Sequence, residues 1–246
     1  MKKRKKRKKL AIVLIALVII ILGSIYGYVK WTYSTYMNMD LSFATPQGSI
    51  ATTDSFIAPI EKVGDLKTYY DKAHNINNGV IGWIAIPGTN INYPVNFGKG
   101  DNYYLDHNWK GDSYWNGSVF LSEHNKGGFG AVSLINGHNM LNGIMFSQLQ
   151  TFANKNAFEN QVIYVYNGQT KQLEKFKAII AMYSVPTVAM TLGNLSKEEK
   201  IKEVDSLMKD SIYGKQEYSG NNLMILNTCL SNGSGKHFLV VAERVN

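Results

Sequence analysis

Only one of the 246 residues is a cysteine, Cys229, so no internal disulfide can form. A domain without that staple must be held by buried apolar surface, and a stretch from 56 to 246 is long enough to bury a core unaided. No metal-ligand spacing occurs among the His, Cys, Asp and Glu residues, and no cofactor is expected. No repeat or low-complexity segment appears beyond a basic tail. Net charge is also missing from most of the chain. It has 26 Lys and Arg against 18 Asp and Glu, yet eight of the basic residues form the run KKRKKRKK at 2–9, which leaves 18 against 18. The neutral remainder gives nucleic acid nothing to bind, and the tail is explained by the apolar run beside it.

That run is LAIVLIALVIIIL, residues 10–22, and no charge interrupts the chain until after Val29. Twenty residues rising about 1.5 Å each reach about 30 Å, the hydrocarbon thickness of a bilayer. A small-residue A-x-A cleavage site and the shorter apolar core of a signal peptide are both lacking. Basic flanks stay in the cytoplasm, and Tyr26, Tyr28, Trp31 and Tyr33 suit the outer interface. The expected layout is a cytoplasmic tail over 1–9, a transmembrane helix over 10–29, a spacer over 30–55 and an extracellular domain over 56–246.

Within that domain, Ile60, Val63, Leu66, Tyr69, Tyr70 and Ala73 recur near helical spacing and predict a helix over 57–74. From Val80 onward the texture changes to short apolar runs with turn signals, which predicts a mainly β domain, a barrel or a sandwich. Residues 145–160 read as one or two short helices. A hairpin is expected to turn at Asn167-Gly168. The segment 196–213 opens on a capping Ser196 with Glu198 and Glu199 in its first turn, and Ile201, Val204, Leu207 and Met208 come after them at helical spacing. That helix sits between strands expected over 178–185 and 223–226.

Cys229 ends the apolar run 223–226 plus Asn227 and Thr228, and a Gly-containing loop over 231–236 separates it from the next run, 238–241. A thiol at a strand end is reachable by substrate, and an unpaired cysteine in an exported protein is a candidate nucleophile. A buried small hydrophobe is the plainer alternative. A thiol nucleophile needs a partner that favours thiolate, and histidine is the usual one. Of the five histidines, His74, His107 and His124 read as structural or surface groups, whereas His138 emerges from the run 132–135 onto a turn.

Five segments in order, IGWIAIPGTNINYPV (81–95), DNYYLDHNW (101–109), GSVFLSEHN (117–125), INGHNMLNGIMFSQL (135–149) and ILNTC (225–229), resemble the class B sortases, from about Val80 to the C-terminus. The resemblance implies a closed eight-stranded β-barrel with N-terminal helices and a long helix before the cysteine strand. It implies a cysteine transpeptidase at the outer face of a Gram-positive membrane. Cys229 would attack the threonine carbonyl of a secreted protein's sorting signal and form a thioester. His138 would protonate the leaving amine and later deprotonate an amine of peptidoglycan or of a pilin lysine. Thr228 and Lys236 are the candidate substrate-binding residues. The family's Arg position, at the start of the last strand, reads His237 here. An Arg offers a charged fork of donors to substrate and oxyanion, so His237 or Lys236 is expected to supply a donor in its place. Arg244 is a poor substitute, about 23 Å further along at ~3.3 Å per residue. A peptide-binding module that has lost catalysis stays open as the alternative. A papain-like hydrolase fits worse, because its Cys precedes its His.

Overall fold

The structure is a computed structural model that describes residues 14–30, 65–140, 142–184, 196–214, 216–230 and 235–245. The chain divides into two units, Met1–Thr45 and Pro46–Asn246. In the first unit, residues 14–30 are helical and their large apolar side chains, among them Leu14, Leu22 and Val29, are exposed. Among the described residues no helix is long and apolar enough to cross a membrane. The basic tail and residues 10–13 of the expected transmembrane helix lie outside the described residues, as does 31–64, with most of the spacer and the first part of the 57–74 helix.

The described part of the second unit begins with α1 (Leu66–Ile76), whose N-cap Asp65 accepts hydrogen bonds from the Lys67 and Thr68 amides, so the helix expected over 57–74 starts at Leu66 and runs on to Ile76. Those two bonds satisfy donors that the helix start leaves orphaned. Eight strands come next: β1 (Val80–Ala85), β2 (Asn92–Asn96), β3 (Phe120–Leu121), β4 (Val132–Asn136), β5 (Val162–Asn167), β6 (Gln172–Ser184), β7 (Leu223–Cys229) and β8 (His237–Val245). They close into a barrel in the order β1-β2-β3-β4-β7-β8-β6-β5. The expected closed eight-stranded, mainly β fold is what the chain adopts. Closure leaves the sheet without a free edge. Between strands lie α2 (Asp101–Tyr104), a 3₁₀ turn (Ser147–Ala153), α3 (Lys155–Asn160) and α4 (Lys197–Leu207).

Two pairings, β2 with β3 and β4 with β7, are parallel, and the other six are antiparallel. The second parallel pair decides where chemistry sits. Parallel strands end at the same end of a barrel, so the residues after Asn136 and after Asn227, which are register partners, emerge side by side. Antiparallel β8 starts where β7 stops, so His237 stands opposite Cys229.

The helix before the cysteine strand is capped as its sequence asks. The Ser196 hydroxyl accepts from the Glu199 amide and the Glu199 carboxylate accepts from the Ser196 amide. Val204, Leu207 and Met208 then pack with Leu223, Ile225, Leu239 and Val241. Each fully buried side chain of this size contributes about 1.5–3 kcal/mol. The hairpin differs from its expectation. Asn167 is still paired in β5, and the turn is the four residues 168–171. The Asn167 side chain accepts from the Gln169 and Thr170 amides, so it nucleates an Asx-type turn instead of occupying a two-residue one.

Candidate active site

Along β7 the side chains alternate, and Leu223, Ile225, Asn227 and Cys229 share one face. The first two lie under α4. Past the helix the same face turns polar, and the strand's last residue, Cys229, is exposed. His237 is its direct partner on β8, and Asn227 is diagonal to His237. Diagonal neighbours on one face are within reach of a long side chain. That register produces the cluster.

His237 Nε2 lies 3.6 Å from Cys229 Sγ, and its Nδ1 lies 2.7 Å from Asn227 Oδ1. Asn227 Nδ2 donates in turn to Asn136 Oδ1 at 2.7 Å. The amide nitrogen of Asn227 is thereby committed to Asn136, and its oxygen faces the ring. His237 Nδ1 must then carry the proton, and the lone pair on Nε2 points at sulfur. Burial pushes the Cys229 thiol above its ordinary value and holds the His237 ring below its own. Both shifts favour a neutral thiol beside a neutral imidazole. The sequence leads one to expect a donor at His237 or Lys236. The ring does lie beside Cys229, but the nitrogen it presents is an acceptor, because register gives its other nitrogen to Asn227.

His138 lies after β4 on a loop braced from several sides. Its carbonyl accepts from the Phe146 amide, and its Nε2 donates to the Leu105 carbonyl at 2.8 Å. Two glycines make room for it. A side chain at Gly117, where φ is +60°, would sit 2.5 Å from the Tyr104 carbonyl and 3.0 Å from the His138 ring. One at Gly137 would sit 2.8 Å from the Phe146 ring. The neighbouring Asn139 donates to the Cys229 carbonyl at 2.9 Å, which ties the histidine loop to the thiol strand. Among the described residues, His237 is the hydrogen-bonding neighbour of the thiol and His138 is not.

The remaining expected residues fall elsewhere. Thr228 is buried and its hydroxyl donates to the Gly137 carbonyl at 2.8 Å, so it fastens β7 to the histidine loop and is closed to substrate. Lys236 is exposed, and its carbonyl closes the loop by accepting from the Leu230 amide. Arg244 pairs with Phe176 toward the other end of β8. His74, His107 and His124 each bond within their own neighbourhoods, to the Val80 carbonyl, to Asp106 and to Ser122. A groove of about 610 Å³ lined by Tyr70, His74, Tyr166 and Lys171 shares no residue with the thiol cluster. The described residues contain no group of three or more His, Cys, Asp or Glu placed to hold a metal ion. Asn227 and Asn136 escaped sequence reasoning. The signal for Asn227 was its place two residues before Cys229 on a strand, hence on the same face.

No family model matches the chain. It is 30% identical over 125 residues to Sortase B of Listeria monocytogenes, which covers half of this chain and half of that protein. It is 26% identical over 116 residues to Sortase B of Staphylococcus aureus, 46% of this chain and 48% of that one. The chain thus spans about half the length of the curated relatives it matches. Among solved structures, Clostridium perfringens Sortase B superposes with a TM-score of 0.64 at 26% identity, covering 72% of this chain and 99% of that one. A Staphylococcus aureus sortase B–substrate complex superposes with a TM-score of 0.64 at 20% identity, over 74% of this chain and 87% of that one.

Proposed function

We propose that this chain, a relative of the class B sortases in sequence and in fold, is a cysteine transpeptidase that cleaves a sorting-signal peptide and transfers the acyl part to an amine. The observation that carries the reading is the exposed thiol of Cys229 at a strand end with an imidazole nitrogen 3.6 Å away. Cys229 is the nucleophile and becomes the thioester. His138 protonates the leaving amine, then takes a proton from the incoming one, an amine of peptidoglycan or of a pilin lysine. A thioester keeps the acyl group activated for that second amine, and positioned acid–base help is worth about 10²–10⁴-fold.

We also propose that residues 10–29 anchor the protein in the cell membrane, with 1–9 in the cytoplasm and the barrel outside. The exposed apolar side chains over 14–30 and the basic run at 2–9 support this. The test of the enzymatic reading is cleavage of a doubly labelled sorting-signal peptide by the full chain. Cleavage by the wild type and none by Cys229→Ala is expected. Equal cleavage by both would sink the assignment.

A further inference from the structure

We propose that His237, held by Asn227, is the base that takes the proton from Cys229, so that two histidines divide the reaction, His237 serving sulfur and His138 serving nitrogen. The substrate step of this proposal rests on the transpeptidase reading above. Its first step does not.

Asn136 and Asn227 are register partners on parallel strands, and the Asn227 amide is bound at both ends, by Asn136 and by the His237 ring. Turning the Asn227 amide over would set its oxygen against Asn136 Oδ1. In this arrangement the ring carries its proton on Nδ1 and turns its lone pair toward sulfur, 3.6 Å away. A carboxamide oxygen on the far nitrogen of an imidazole beside a thiol is the Cys-His-Asn arrangement of an acyl-transfer site, here built across two adjacent strands. His138 has a different attachment. Its Nε2 is spent on the Leu105 carbonyl, which leaves Nδ1 to exchange protons.

The steps balance. Sulfur gives its proton to His237 Nε2 and bonds to the scissile carbonyl carbon. The carbon–nitrogen bond then breaks, and the leaving amine takes a proton from His138, which enters the step as imidazolium. In the second half, an amine attacks the thioester carbon and gives its proton to His138. The carbon–sulfur bond breaks, and the departing thiolate recovers its proton from His237. As the thioester forms, His237 takes on a proton and presents an N–H on the sulfur side, where an Arg would have supplied a permanent charge. The position makes its cation only when the reaction needs it.

The titratable groups on the elements around the ring are Cys229 on β7, Tyr183 on β6, Lys236 just before β8 and His138 after β4. No carboxylate stands at this end of β6, β7 or β8; Glu174 and Glu243 lie toward the other end. Burial alone therefore sets the ring's ionisation, and it lowers it.

The test is the rate of iodoacetamide alkylation of Cys229 in the full-length, detergent-purified chain, tracked by intact mass between about pH 5 and 9. A base must be neutral to act, so the wild-type rate should rise below about pH 6.5 and then stay flat to about pH 8. His237→Gln should lose the flat region and fall about 10²-fold or more near neutrality, leaving only the thiol's own ionisation. Asn227→Asp keeps an acceptor for Nδ1 and adds a charge that favours imidazolium, so it should move the rise to higher pH. An unchanged profile in either variant overturns the proposal, as does a flat region abolished by His138→Gln in their place. Alkylation needs no peptide, so the expected profiles without any peptide cleavage would sink the transpeptidase reading and leave the pair standing.

Discussion

Burial acts in opposite directions on Cys229 and His237, pushing the thiol up and the imidazole down, so both are neutral over the pH range in which the ring's lone pair is useful. Cys229 was readable from one dimension, because a single thiol at the end of an apolar run is conspicuous. The Asn227 contact was not, since it depends on which residue of β8 faces which residue of β7. His138 was readable as a candidate, but its bond to Leu105, 33 positions back along the chain, was not. At this scale the expected outcome for His138→Ala is a fall of about 10²–10⁴-fold in peptide cleavage, with Cys229 alkylation at wild-type rate. Equal loss of both would place His138 on the thiol. Cys229→Ala should unfold at the same denaturant concentration as the wild type, because an exposed strand-end side chain contributes little packing; a large shift in the urea midpoint would contradict that exposure.

Among the elements, those with local signatures were the readable ones. Helix α4 is legible from Ser196, Glu199 and the spacing of Val204 and Leu207, and it forms with the expected cap and buried face; it ends at Leu207, short of the expected 213, and Met208 opens a 3₁₀ turn over Met208–Asp210. The hairpin is legible at Asn167-Gly168, but its turn is longer than two residues, because Asn-Gly also suits an Asx turn in which the Asn stays in its strand. The parallel pairing of β4 with β7 was not readable, since no local pattern encodes a partner 91 positions away. Two substitutions probe this scale. Ser196→Ala should cost about 1 kcal/mol of stability, and Met208→Ala, at a fully buried site, about 2–5 kcal/mol; both are read by urea denaturation. Gly117→Ala is more specific. Its methyl group would press the Tyr104 and Leu105 carbonyls and the His138 ring, so peptide cleavage should drop about 10²-fold while thiol alkylation persists. A drop in alkylation as large as that in cleavage would mean that the whole barrel end had moved.

The whole molecule joins a neutral, disulfide-free barrel to an N-terminal segment that carries all of the net charge. The barrel needs no staple because its eight strands close on themselves and α4 covers apolar residues of β7 and β8. Composition bounded that outcome without choosing between barrel and sandwich, and five short segments in order made the choice. If residues 10–29 anchor the chain with the barrel outside, protease added to intact protoplasts should remove the barrel and spare the tail; a protected barrel would refute the orientation. In the proposed function, Cys229 carries an acyl group from a peptide to an amine. The most direct measurement is the intact mass of the full chain after incubation with a sorting-signal peptide, first without and then with an added amine. A hydroxylamine-sensitive adduct of the peptide's N-terminal fragment on Cys229 is expected, discharged when the amine is added. A chain that binds the peptide and stays at its own mass, with its thiol still open to alkylation, would contradict it and leave a binding module.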